Sequence, residues 1–145
     1  MKHGFEFAEK ISRTYGNTCK SLCHELKLPQ TAFDILLFLA NNPEFKTASD
    51  IVEVRKIKAN LVSVNVERLV QEGYLERRAV KDDRRKTELI CTKKAQPVIE
   101  RGQALQQDFA TRMLSGIDEE QKKLMAQLVE KIEQNLNDML KEDNR

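Results

Sequence analysis

The 145-residue chain has no tryptophan and only five glycines, three prolines and two histidines. So little glycine and proline argues against turn-rich sandwiches and barrels and favours helices. No run of residues approaches the ~18 apolar positions of a membrane span, so no membrane partner is expected. The opening MKHGFEFAEKISRTYG carries acidic side chains where a signal peptide needs an unbroken apolar stretch, and a cytoplasmic location is expected. Three cysteines, Cys19, Cys23 and Cys91, make no even disulfide framework. They contain no C-x-x-C and have no paired histidines to complete a zinc site, so neither disulfide nor metal is expected. With His3 and His24 as the only histidines, and no glycine-rich phosphate loop, no catalytic constellation can be assembled. The expectation is a protein that is not an enzyme and needs no cofactor.

Charge is present, and it is unevenly spread. Residues 1–54 carry 6 basic and 7 acidic side chains, residues 55–101 carry 13 and 7, and residues 102–145 carry 6 and 9. The overall net charge of +2 therefore hides a middle third at +6. A local positive field between neutral and acidic flanks points to a polyanion touched by one part of the molecule. Arg77, Arg78, Lys81, Arg84, Arg85 and Lys86 crowd the stretch YLERRAVKDDRRKTELICT, residues 74–92.

Apolar periodicity divides the chain into elements. Phe5, Ala8, Tyr15, Cys19, Leu22 and Leu26 fall three and four apart, with Ser12 completing the stripe of a long helix over 4–27. Pro29 suits the first turn of a second helix, which stops before Pro43 and is apolar nearly all round; it should lie at the centre. Thr47 and Asp50 form a capping box for a short third helix, and a fourth ends at Gly73. YLERRAV and KTELICT alternate as two strands joined by a KDDR turn. Two further helices follow. The first has Val98, Gly102, Leu105, Phe109 and Met113 on one face and a late start or bend imposed by Pro97. The last, from about Asp118, carries Leu124, Leu128, Ile132, Leu136 and Leu140 at four-residue spacing.

Short helix, tight turn, longer helix and two-stranded hairpin make a winged helix-turn-helix, whose second helix can enter a DNA major groove while the hairpin reaches the neighbouring backbone. The residues VERLVQEGYLERR (66–78) and DDRRKTELICT (82–92) resemble the MarR family of bacterial regulators. Arg68, Leu69, Gly73, Tyr74, Leu75, Arg77, Asp83, Arg85, Leu89 and Thr92 match that family's pattern. Ala95 stands where the family often has glycine, and Val64 where its recognition helix often carries a basic residue. The resemblance covers nearly the whole of 1–145. It implies a mainly α fold with a small β-hairpin wing, a DNA-binding lobe over 29–92, and dimerisation helices at 4–27 and 94–141.

On a helical projection of 57–70, Val62, Val66, Leu69 and Val70 share the inward face, and Asn60, Ser63, Val64 and Glu67 oppose them, with Ile57 and Leu61 at the edge. Asn60 and Ser63 can bond base edges or phosphates, Val64 can meet a thymine methyl, and Lys56 and Lys58 suit phosphates. Leu61 is expected to pack against a neighbouring helix. In the wing, Arg85 suits a narrow minor groove, and Arg84 and Lys81 add phosphate attraction. The family pattern implies that Asp83 holds Arg85 in place. The resemblance further implies a homodimer on a pseudo-palindromic double-stranded DNA operator, with Phe5, Ala8, Phe109, Leu128, Ile132, Leu136 and Leu140 at its interface. It also implies a repressor that releases DNA when a small aromatic or amphipathic effector binds near Tyr15, Cys19, Phe33 and Leu37. Two alternatives remain: a winged-helix protein-interaction module, and a thiol-based redox sensor working through Cys19 or Cys23.

Overall fold

A computed structural model describes residues 4–144, with the Arg84 side chain outside the description. The elements run α1 (Gly4–Leu26), α2 (Gln30–Asn41), α3 (Ala48–Arg55), α4 (Ala59–Gln71), β1 (Leu75–Val80), β2 (Asp83–Cys91), α5 (Gln96–Met113) and α6 (Glu119–Asp143). The chain divides into two compact units at Phe109/Ala110.

In the first unit α2 is the hub. Ala32, Phe33 and Ile35 through Leu39 are all buried, as expected for a helix apolar on every side. Each buried Phe, Ile or Leu among them contributes about 1.5–3 kcal/mol of transfer free energy. Against α2 pack α1, α4 and β2. The C-terminal half of α1 supplies Cys19, Leu22 and Cys23 to the core, whereas Phe5 near its start is 96% exposed. Pro29 sits one residue earlier than the sequence suggests: it is the extended N-cap residue of α2 (φ −61°, ψ 151°), not part of its first turn.

Local chemistry fixes the short elements. The Thr47 hydroxyl accepts from the Asp50 amide at 3.1 Å, and the Asp50 carboxylate accepts from the Thr47 amide at 3.1 Å, closing the capping box of α3. Gly73 has φ +82° just beyond α4, the left-handed conformation that glycine enters without a Cβ penalty. Pro97 does delay α5. Thr92 Oγ1 accepts from the Ala95 amide at 3.3 Å and donates to the Gly73 carbonyl at 2.6 Å, a turn fills 93–95, and the helix starts at Gln96.

The two strands pair antiparallel, Leu75 opposite Cys91 and Arg77 opposite Leu89. Here the expected KDDR turn is corrected. Only Lys81 and Asp82 turn; Asp83 already pairs with Val80, and Arg84 continues β2. The ladder then jumps from Val80↔Asp83 to Ala79↔Thr87, so residues 84–86 bulge out of β2.

In the second unit, Asp118 caps α6: its carboxylate accepts from the Gln121 amide at 2.8 Å and its own amide donates to Gln121 Oε1 at 3.1 Å. No residue of α6 is buried. Leu124, Leu128, Ile132, Leu136 and Leu140 are each 51–61% exposed.

Candidate nucleic-acid interface

The candidate interface is built on α3, α4 and the hairpin. Lys56 closes α3 in a left-handed conformation (φ 56°), and Lys58 is the N-cap residue of α4. Both lysines are exposed. Val62, Val66 and Leu69 anchor the inward face of α4. Asn60, Ser63, Val64 and Glu67 are exposed on the other side, as the helical projection predicts. Leu61 departs from expectation: it is 45% exposed and lies beside Val64, which is 66% exposed. Sequence reasoning missed Asn65, which is 7% exposed and points inward. Its amide donates to the Leu61 carbonyl at 2.8 Å, so burial leaves no orphaned donor there.

The hairpin is tied to this helix. Arg77 Nη2 on β1 donates to Glu67 Oε2 on α4 at 2.7 Å. That bond, with Arg77's charge and a weaker bond from Gln71, holds the Glu67 carboxyl below its usual range. A groove of about 410 Å³ runs between α3, α4 and the strands, lined in part by Ser49, Glu53, Ser63, Arg77 and Thr87. Further back, the Leu89 amide donates to the Lys46 carbonyl at 2.7 Å, fixing β2 against the segment before α3.

At the tip, Asp83 Oδ1 accepts from the Arg85 backbone amide at 3.0 Å. Asp83 therefore holds Arg85 through its main chain, while the guanidinium stays outside that bond. Lys81, Arg85 and Lys86 are exposed, so the turn and the bulge together present cations to solvent. The phosphate role expected of Arg84 falls on a side chain outside the described residues, and His3 lies outside them too.

Other expected residues are not gathered into an open site. Cys19, Phe33 and Leu37 are 0–1% exposed inside the core, so they line no open effector pocket. Tyr15 is half-buried beside them: its hydroxyl accepts from Gln106 Nε2 at 3.0 Å, its ring meets Phe109 edge-on at 5.3 Å, and burial pushes its hydroxyl up to about 12. Gln106 in turn accepts from Asn41, which accepts from Gln103, a polar chain joining α1, α2 and α5. Phe109 is thus already engaged within the chain, while Phe5, Ala8, Leu128, Ile132, Leu136 and Leu140 remain exposed. Among the described residues no group of three or more His, Cys, Asp or Glu side chains is arranged to hold a metal, and no helix is long and apolar enough to cross a membrane.

Residues 26–86 match the sequence profile of the MarR family. A curated relative, the HTH-type transcriptional regulator BilQ of Clostridium symbiosum (strain WAL-14163), is 34% identical over 68 residues. That match covers 47% of this chain and spans about half, 47%, of the relative's own length. A solved structure of transcriptional regulator PA3341 aligns at 27% identity with a TM-score of 0.80, covering 93% of this chain and 98% of that one. A MarR family regulator from Listeria monocytogenes, solved with a 26mer DNA, superposes with a TM-score of 0.83 at 20% identity over 95% of this chain and 91% of its own. With the helix-turn-helix, the tethered hairpin and the Asp83–Arg85 turn in place, residues 26–86 carry the sequence pattern of the MarR family, and the chain is similar in fold to transcriptional regulators of that kind.

Proposed function

We propose that the chain is a sequence-specific, DNA-binding transcriptional regulator that engages a pseudo-palindromic operator as a homodimer. The observation that carries this reading is the pairing of an exposed polar and apolar face on α4 with a cationic bulge on a hairpin bonded to that helix. A helix of this kind enters a major groove, and arginine at a wing tip suits the narrow, electronegative minor groove beside it. Asn60, Ser63 and Val64 take the base edges. Lys56, Lys58, Lys81 and Arg84 take phosphates, and Arg85 takes the minor groove.

Exposed apolar surface supports the homodimer. α6 buries nothing, and Phe5 and Ala8 on α1 are exposed. A second copy related by a two-fold axis would cover apolar surface of this kind and set two recognition helices about one helical turn apart. Ligand-responsive repression is the form of regulation that the family implies. A small aromatic or amphipathic effector seated among Tyr15, Cys19, Phe33 and Leu37 must first open the α1–α2 packing. Its binding energy would then bias the chain towards a conformation with altered helix spacing.

Selection from a random duplex pool, wild type against Arg85→Ala, tests this function. An enriched inverted repeat, bound with steep salt dependence and weakened by the substitution, is the expected result. Salt-insensitive association of a protein partner through the exposed Leu61 and Val64, with no enriched duplex, would instead establish an interaction module.

A further inference from the structure

The outward face of α4 is short of the groups that read guanine. Guanine offers O6 and N7 to the major groove, acceptors suited to guanidinium or ammonium donors. Within α4 the one basic residue is Arg68, in the last turn. Its guanidinium is already committed, donating to the Lys27 carbonyl at 2.9 Å and pairing with Glu72 at 3.2 Å. The acidic group that reads cytosine is engaged as well, because Glu67 accepts from Arg77 and Gln71. What stands clear in the first two turns is neutral, and its largest part is apolar: Val64, 66% exposed, and Leu61, 45% exposed, three residues apart on adjoining positions, with the small hydroxyl of Ser63 between them in sequence. Asn60, one turn before Val64, is exposed beside them and has the donor and acceptor that match adenine N7 and N6.

An exposed apolar patch on a face flanked by Lys56 and Lys58 fits a polyanion that itself carries apolar groups. Duplex DNA supplies these as thymine C5 methyls in the major groove. We propose that Val64, with Leu61 beside it, reads thymine methyl groups, and that the half-site under the first two turns of α4 is therefore an A·T core. The inference rests on the DNA-binding reading above and names the bases that reading leaves open. Lys56 and Lys58 precede α4, where they neutralise phosphates and set the register without choosing a base.

Deoxyuridine tests this, because it removes the thymine methyl and keeps the pairing. In the enriched duplex, each thymine of one half-site is replaced singly, and the dissociation constants of wild type and Val64→Ala are measured. Losing one buried methyl contact weakens binding by about fourfold. Wild type should show that loss at one or two positions, and Val64→Ala should lose the discrimination there while responding like wild type elsewhere. Sequence-specific binding that tolerates deoxyuridine throughout, or a penalty that persists in Val64→Ala, overturns the thymine-methyl assignment and leaves the DNA reading standing. Failure to enrich any duplex overturns both.

Discussion

Arg77 and Glu67 join the hairpin to the recognition helix across 2.7 Å, ten residues apart in sequence. Their side chains are 43% and 50% exposed, so solvent screens the pair and its role is to set geometry more than to add stability. Arg77→Gln frees the base of the hairpin from α4 and should weaken duplex binding severalfold with little change in melting temperature. The double substitution Glu67→Arg with Arg77→Glu should recover part of the affinity.

The same pair has a pH signature. Glu67 is held below its ordinary value of 4.5, first by the Arg77 hydrogen bond and then by the Arg77 charge. A depressed folded-state pKa contributes stability that is present above the unfolded value and is lost as pH falls through the folded one. Melting curves of wild type and Glu67→Gln should differ slightly at pH 7 and converge in acid, and the difference should shrink in high salt. A difference that widens below pH 4.5 would contradict the assignment.

The capping box before the helix-turn-helix should be worth more. Burial raises the Asp50 carboxyl, but the amides of Thr47 and Lys46, helped by the Lys86 charge, outweigh it and leave the group lowered. Thr47→Ala removes the acceptor for the Asp50 amide and should cost about 1 kcal/mol in urea unfolding. Thr47→Ser keeps that acceptor and should lose little.

Much of this architecture is legible in the sequence because its causes are local. Thr47 and Asp50 announce α3, Gly73 ends α4, and the apolar run of α2 identifies the hub. The bulge is less legible. KDDR has turn residues throughout, yet Asp83 and Arg84 belong to β2, because pairing with Val80 absorbs Asp83 and the Asp83 carboxylate satisfies the Arg85 amide. Asn65 shows the limit of polarity as a guide. Its helical position is inward, and a local bond to the Leu61 carbonyl lets a polar side chain occupy it. The Glu67–Arg77 bridge and the Tyr15–Gln106–Asn41–Gln103 chain join distant segments and leave no periodic trace.

Two glycines in helices should respond oppositely to alanine. A Cβ on Gly102 would lie 2.8 Å from Leu37 Cδ2 and 2.9 Å from Cδ1, and Leu37 is itself enclosed in the core. Overpacking of this kind typically costs about 1–3 kcal/mol, against about 1 kcal/mol gained in helix propensity, so Gly102→Ala should destabilise. At Gly16 nothing lies within 4 Å of an added Cβ, and alanine should stabilise by up to about 1 kcal/mol. Adding Leu37→Val should make Gly102→Ala less costly than in the wild-type background, a coupling that a double-mutant cycle measures.

The thiols should be slow to react. Burial, then the neighbouring Cys19 and Asp34, push the Cys23 thiol up to about 11, and burial raises Cys91 as well. At pH 7.5 a thiol of that acidity is thiolate in roughly one molecule in a few thousand. Native protein should therefore label slowly with iodoacetamide, quickly once unfolded, and mild hydroperoxide should leave duplex affinity unchanged. Rapid native labelling of Cys19 or Cys23 would restore the redox-sensor alternative.

Whether α6 holds two copies together is testable at single positions. Leu128 and Ile132 are 51% and 56% exposed, one turn apart on a 25-residue helix with no buried residue. Glutamate at either one interrupts the apolar stripe without disturbing the core of the chain, so secondary structure should be retained. If the stripe is the dimer contact, Ile132→Glu should sediment as a monomer at concentrations where wild type is dimeric. Duplex binding should then fall by orders of magnitude, because each half-site must be held alone. Substituting Lys131, beside it but off the stripe, by glutamate should leave the dimer intact. A monomeric wild type would remove the two-fold arrangement from the proposal, and an Ile132→Glu dimer would move the contact away from α6.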